Sequence, residues 1–410
     1  NVPQPGLVID GLLGLTWIAA AFQPRGRLDW RCLRNDLGLL TLVWFVITLL
    51  ELLNPAGAST MGWLLEMRAT ALYWALAVPV ASVLLYRAQD VRLFVLLVIG
   101  LSVLGALYGI KQKVLGVNSA EQAWLDEGGA VTHLIWGRLR IFSFYNEAAQ
   151  FGASQAHVGL MCLILALGPF ATWKRLLLAV ASGLCFYGML ISGTRGALFV
   201  VVSGLFLCLV MSRQTKTLVV GCVLAVGAIL LLKYTSVGSG SADIMRLRTA
   251  LDPADPSLQL RLQNQAKLRA YLADRPLGGG LGSIGIWGSE YNRGTYLASI
   301  PPDSYFVKVW AEYGIVGFTI WFSIMLYILG KCCGIVWRLR HPQLRQQLLA
   351  LTAGFAGILV SSYGNEVMNQ VPSSMILYLS WAVVFRGPAL DSLPDRAPLS
   401  PKGHPLPGRA

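Results

Sequence analysis

Charge is scarce in this 410-residue chain: Asp, Glu, Lys and Arg together make up 13% of it, against about a quarter in an ordinary soluble domain. So few solvated side chains are poorly suited to coat a globular surface in water. Cysteine is no more use as a framework. The seven cysteines, at 32, 162, 185, 208, 222, 332 and 333, fall in or beside apolar runs or near basic loops. No pair lies in a large hydrophilic segment, so neither a disulfide scaffold nor a zinc site is indicated. The four histidines (His133, His157, His341 and His404) show no metal-ligand spacing, and His157 reads as a core residue within a span. No repeat of 20–50 residues recurs, which excludes a solenoid. The apolar runs do not alternate with polar residues, which excludes an outer-membrane barrel.

What the chain has instead is apolar length. It is 55% hydrophobic, and stretches near 20 residues recur throughout, the signature of a polytopic helical membrane protein. Spans are expected at about 7–23, 37–54, 69–86, 92–110, 151–171, 176–193, 197–212, 217–233, 305–329, 347–363 and 373–386. The net charge of +13 is then topology rather than nucleic-acid binding. Arg25, Arg27, Arg31 and Arg34, then Arg87 and Arg92, Lys174 and Arg175, Arg213 and Lys216, and Lys331, Arg338, Arg340 and Arg345 occupy alternate connections. The positive-inside rule places these in the cytoplasm. The other face receives 55–68, 111–150, 192–196, 234–304 and 364–372, so all the long hydrophilic segments fall together. The expected organisation is residues 1–233 as N-terminal membrane helices with an outer loop at 111–150, then 234–304 as a large outer loop, 305–386 as C-terminal membrane helices, and a disordered tail at 387–410. With the basic loops inside, the first span runs outside to inside, which is expected if a preceding helix exists in a longer parent of twelve spans.

Several outer segments carry chemistry. Arg195 lies in Ser192-Gly193-Thr194-Arg195-Gly196-Ala197 between two apolar runs. At bilayer depth a guanidinium costs about 2.5–3.5 kcal/mol on insertion scales, so this residue either lies in a surface turn or faces a polar cavity and binds an anion. Within 234–304, a helix is expected over about 258–273, with Leu258 and Leu262, then Leu268 and Leu272, at helical spacing and Pro276 and the following glycines as its stop. On it Arg261, Gln265 and Arg269 fall along one side, offering guanidinium forks to a phosphate or diphosphate; the plainer reading is a solvated face balanced by Asp252, Asp255 and Asp274. Gly278-Gly279-Gly280-Leu281-Gly282-Ser283 follows no strand, so it reads as a flexible hinge rather than a nucleotide fingerprint, although its free N–H groups suit an anion. In Arg138 to Glu147, Phe142, Phe144 and Tyr145 suit an interfacial aromatic belt, which leaves Arg140 and Asn146 unexplained. Asp303, before Ser304 and Tyr305, is a competent helix N-cap. Glu312, two turns into an apolar run, is an intramembrane carboxylate and by default a functional candidate.

In this order the segments resemble the O-antigen ligase and O-antigen polymerase superfamily of bacterial envelope glycosyltransferases. Arg140 with Phe142-Ser143 and Asn146 precedes a span, Ser192 to Ala197 forms a short outer turn, and the long outer loop follows. There Arg261 and then Arg275-Pro276-Leu277-Gly278-Gly279-Gly280-Leu281-Gly282 look like the family's arginine-helix and Pro-Leu-Gly-x-Gly-Leu-Gly pattern, and Asp303-Ser304-Tyr305-Phe306 to Gly317 looks like the helix after it. The resemblance covers roughly 135–320 by motif. Family ligases usually carry His-Asn-Ser before that last helix, where this chain has Pro302-Asp303-Ser304, so lipid-A core ligation by the usual residues is in doubt and a polysaccharide polymerase becomes more attractive. The resemblance implies an all-α, GT-C-like polytopic protein of the bacterial inner membrane with its site facing the periplasm. It implies inverting, metal-independent transfer from an undecaprenyl-diphosphate-linked glycan to a sugar hydroxyl of a glycan or lipid-A core acceptor, with no cofactor and no nucleic-acid partner. Arg195 and Arg261 are the expected diphosphate ligands, facing one cavity, with Arg140, Asn146, Gln265 and Arg269 as substrate contacts and Asp303, then Glu312, as candidate bases. The alternatives from other classes are a transporter or flippase for a lipid-linked or anionic substrate, which predicts internal repeats and broken helices, and a structural membrane subunit.

Overall fold

A computed structural model describes residues 5–24, 28–135, 137–212 and 256–392, with isolated positions between 213 and 255. The described chain is all-α apart from a two-residue hairpin, Leu134–Ile135 against Arg138–Leu139. The main helices are α1 (Pro5–Ala21), α2 (Asp36–Leu50), α3 (Thr60–Leu84), α4 (Ala88–Leu115), α5 (Ala148–Ala166), α6 (Thr172–Ile191), α7 (Ala197–Met211), α8 (Pro256–Leu272), α9 (Gly285–Tyr291), α10 (Tyr305–Arg338), α11 (Pro342–Ser361), α12 (Ser373–Phe385) and α13 (Gly387–Ser392). Seven of them are long and apolar enough to cross a bilayer, and α1, α7 and α12 are shorter apolar helices. Each expected span has its helix except 217–233, most of which lies outside the described residues. This is an all-α polytopic membrane protein.

The centre of the bundle is α5 and α11, buried along nearly their whole lengths, with α7 packed against both and α6 against α5. Small residues allow this closeness. A methyl on Gly204 would stand 2.7 Å from Ala353 O, and one on Gly357 2.6 Å from Val200 O. Around this centre α2, α4 and α6 turn leucines outward (Leu39, Leu42, Leu96, Leu101 and Leu176), the surface a bilayer would cover.

The segments assigned to one side by charge meet at one end. Asn54 Nδ2 donates to Leu277 O (2.9 Å), Ser59 N–H to Asn292 Oδ1 (2.8 Å), and Tyr305 N–H to Ser362 O (3.0 Å). At the opposite end Lys331 pairs with Asp36 at 2.6 Å, and Asp391 accepts from the N–H groups of Arg340 and His341.

Four expectations are corrected. The stretch 55–68 is not all loop: α3 begins at Thr60, capped by Ser59, and passes through a wide π-helical turn at Arg68–Leu72. Of the supposed aromatic belt only Phe144 is exposed, whereas Phe142 and Tyr145 are buried in small cores beside α5. The tail starts as helix α13, with Gly387 and Leu390 buried; residues 393–410 lie outside those described. The glycine run is not a flexible hinge. Helix α10 is broken at Gly314 (φ 66°, ψ −169°), and the segment from Pro276 to Gly282 plugs the break. Gly279 N–H donates to Ala311 O (2.8 Å), Gly280 N–H to Glu312 O (3.0 Å), Val316 N–H to Pro276 O (3.2 Å), and Gly282 N–H to Glu312 Oε1 (3.0 Å). The N–H groups read as open to an anion at Gly279, Gly280 and Gly282 therefore serve α10 instead.

The plug also anchors α8. Leu268 and Leu272 pack with Ile284, Leu297, Ile300, Val307 and Ala311, while Leu258 and Leu262 stay exposed. Gly314→Ala is expected to destabilise the protein severely. The added methyl would lie 2.1 Å from Pro276 O, in a backbone region whose strain alone costs about 1–3 kcal/mol. Gly330→Ala, with open space around it, should leave the thermal midpoint in detergent unchanged or slightly raised.

Candidate functional site

Small hydroxyls hold the turn that carries Arg195. Helix α6 ends at Ile191, and Gly193 reverses the chain at φ 59°. Ser192 Oγ donates to Met189 O (2.7 Å) and accepts from Thr194 N–H (3.2 Å), Thr194 Oγ1 donates to Ala148 O (2.9 Å), and Ser361 Oγ donates to Gly196 O (2.9 Å). The turn is thus pinned to α5 on one flank and α11 on the other, with Arg195 half-buried between. Arg140 braces the same turn: Nη2 donates to Thr194 Oγ1 (3.1 Å), Nε to Ser192 O (3.4 Å) and Nη1 to Thr132 O (3.2 Å). Asn146 is exposed.

Helix α8 brings up the second arginine. Arg261, Asn264 and Gln265 line a small cleft with Pro301, Pro302, Asp303 and Ser304. Arg269, expected on the same face, is exposed and does not line that cleft. The N-cap of α10 is Ser304, whose Oγ accepts from Val307 N–H (3.4 Å), which releases Asp303 from capping. Asp303 adopts φ 38°, a backbone region that Asp tolerates better than most residues. Burial pushes its carboxyl up, and Arg261 pulls it back down.

Both arginine-bearing elements abut the turn that ends α11. A methyl on Gly196 would stand 2.9 Å from Asn365 Nδ2, and one on Gly364 would stand 3.8 Å from Arg261 Nη1. Residues 361–365 are therefore the shared wall between the Arg195 turn and α8. Glu312, by contrast, is 1% exposed and its Oε1 holds the Gly282 N–H.

Beside this wall lies an ion network that sequence reasoning missed. Lys308 Nζ is 2.9 Å from Glu66 Oε2 and 3.4 Å from Glu366 Oε2. Thr70 Oγ1 donates to Glu66 Oε1 at 2.9 Å. Glu147 stands close enough to Glu366, Arg140 and Lys308 to feel their charges. Glu66 was hidden because 55–68 read as loop. Lys308 did carry a signal, since it sits four residues before Glu312 in an apolar helix, and a lysine there requires a counter-charge. Among the described residues, no cluster of three or more His, Cys, Asp or Glu is arranged to hold a metal ion.

The family model described as O-Antigen ligase matches residues 178–322. The match covers roughly a third of the chain, and over that stretch the protein is similar to O-antigen ligases. The matched stretch contains Arg195, Arg261, Asp303 and Glu312, whereas Arg140, Glu147 and Glu366 lie outside it. No curated protein matches the chain.

Lys308→Met leaves Glu66 buried without its counter-charge, a loss of about 3–5 kcal/mol. A double-mutant cycle on thermal or denaturant unfolding should show Lys308→Met with Glu66→Gln to be less damaging than the sum of the two single changes.

Proposed function

We propose that this protein catalyses inverting glycosyl transfer, without a metal, from an undecaprenyl-diphosphate-linked glycan to a sugar hydroxyl on the periplasmic face of the bacterial inner membrane. The observation that carries this reading is the convergence of the Arg195 turn and Arg261 on one wall, residues 361–365. The leaving group of such a donor is already a diphosphate, so the protein has to neutralise developing charge and position the acceptor. Two guanidiniums supply the charge as fixed forks of donors. Gln265, on the cleft beside Arg261, adds a neutral donor. Asp303 orients Arg261 across the cleft, Arg140 holds the turn that aims Arg195, and Glu312 fastens the glycine plug. Asn146 and Arg269, both exposed, are left for the glycan rather than the diphosphate. Attack opposite the leaving group inverts the anomeric centre.

Polymerisation is the preferred form of the reaction, because Pro302 stands where ligases of the family carry the histidine thought to serve the acceptor. A broken span is also a transporter feature, where it lines a substrate cavity. Here the break at Gly314 is filled by protein backbone, which favours an enzyme.

The test is complementation of a gene deletion, with the surface glycan profiled by chain length. Wild type and Gly330→Ala should restore long chains, while Arg195→Ala and Arg261→Ala should fall by about 10²-fold or more in transfer. Single-repeat products in the deletion strain identify a polymerase, and loss of long chains from a lipid-A core identifies a ligase. Full rescue by both arginine variants would sink the diphosphate assignment.

A further inference from the structure

Arginines for the leaving group account for half of the reaction; the incoming hydroxyl also has to lose a proton. Neither carboxylate expected to take it is well placed. Glu312 is buried and bonded to Gly282 N–H, and Asp303 faces Arg261.

We propose that Glu147 and Glu366 together are the proton acceptor for the incoming hydroxyl, a carboxylate pair held in place by Lys308. Glu147 is the residue before α5, in extended backbone (φ −143°, ψ 146°), yet its side chain makes no capping bond. His133 substitutes for it, its Nε2 accepting from Ala148 N–H at 3.1 Å. The Glu147 carboxylate is thereby freed from the helix end. It is exposed to solvent, and one turn further along α5 Gln150 Nε2 donates to Val371 O, which seats this end of the helix beside the turn that carries Glu366. Glu366 follows directly on the wall that adjoins Arg261 and the Arg195 turn. Its side chain is 24% exposed, and its bond to Lys308 (3.4 Å) is longer than the one Lys308 makes to Glu66 (2.9 Å). Lys308 therefore neutralises Glu66 first and holds Glu366 more loosely.

The charged surroundings are mixed in sign. Glu147 faces Arg140 from its own segment, Lys308 from α10, and Glu366 with Gln370 from the turn after α11. Glu366 faces Lys308, behind which stand Glu66 on α3 and Glu312 on α10. Burial and then Glu366 push the Glu147 carboxyl up, against the pull of Arg140.

The step balances. The acceptor oxygen forms a bond to the anomeric carbon as the bond from that carbon to the diphosphate oxygen breaks, and the electron pair departs on the diphosphate between the arginines. The hydroxyl proton passes to the carboxylate pair and afterwards to water.

This assignment rests on the transferase reading, and one experiment separates the two. Full-length protein in nanodiscs is given an undecaprenyl-diphosphate-linked glycan and a glycan acceptor, and single-turnover transfer is followed against pH. Displacement of bound donor by undecaprenyl diphosphate is measured in parallel. Glu147→Gln and Glu366→Gln should each slow transfer by about 10²–10⁴-fold, with donor binding within about twofold of wild type. Wild type should lose activity as pH falls through the range where Glu147, its carboxyl raised by burial, takes up a proton, because the base must be ionised to act. Glu366→Asp keeps a carboxylate and should retain part of the rate with a displaced acid limb, a readout that does not depend on the Gln variants folding. If wild type transfers and the Gln variants follow within about threefold on an unmoved acid limb, the carboxylate pair is overturned and the transferase reading stands. If wild type transfers nothing, both fall together.

Discussion

A backbone break inside an apolar bundle organises the rest of this protein. In lipid no water is available to peptide groups, so those freed at Gly314 have to be met by protein. The segment Pro276–Gly282 meets them, with hydrogen bonds on both sides of the break and Gly282 N–H fastened by the buried Glu312. A strand of backbone lying this close to α10 excludes side chains, which is why Gly278, whose methyl would stand 2.4 Å from Gly314 N, is glycine. Because the plug is rigid, α8 is held against α10 through Leu268 and Leu272. Arg261 reaches the turn after α11 as a consequence of that docking.

Charge is then distributed by sign around residues 361–366. On one side stand the Arg195 turn, pinned by hydroxyls and by Arg140, and Arg261 on α8. On the other stand Glu366 and Glu147, with Lys308 and Glu66 behind them. An enzyme that must stabilise a departing anion and accept a proton needs both cationic and carboxylate groups at one site.

Much of the architecture was legible beforehand because hydropathy reports directly on the bilayer. Spans, sidedness and the helix bearing Arg261 and Gln265 could be read from composition and 3.6-residue spacing. The misreadings share a cause. Glycine in 278–282 looks flexible in isolation, Phe142 and Tyr145 look interfacial, and 55–68 looks like loop, because a linear pattern does not show what each residue will pack against. Glu312 was visible as a charge in an apolar run and Lys308 was passed over, because the partners that explain them, Glu66, Glu366 and the Gly282 N–H, are brought in from other segments.

By itself the sequence determined that this chain is a polytopic helical membrane protein and where most of its long apolar helices lie. These properties depend on residue type and spacing, which are local. Tertiary structure alone decided that Arg140 braces rather than faces the cleft, that the glycine run plugs α10, and that Glu147 comes within reach of Glu366. Such facts arise from groups tens to hundreds of residues apart being forced together by helix packing, where burial sets which polar group each must pair with.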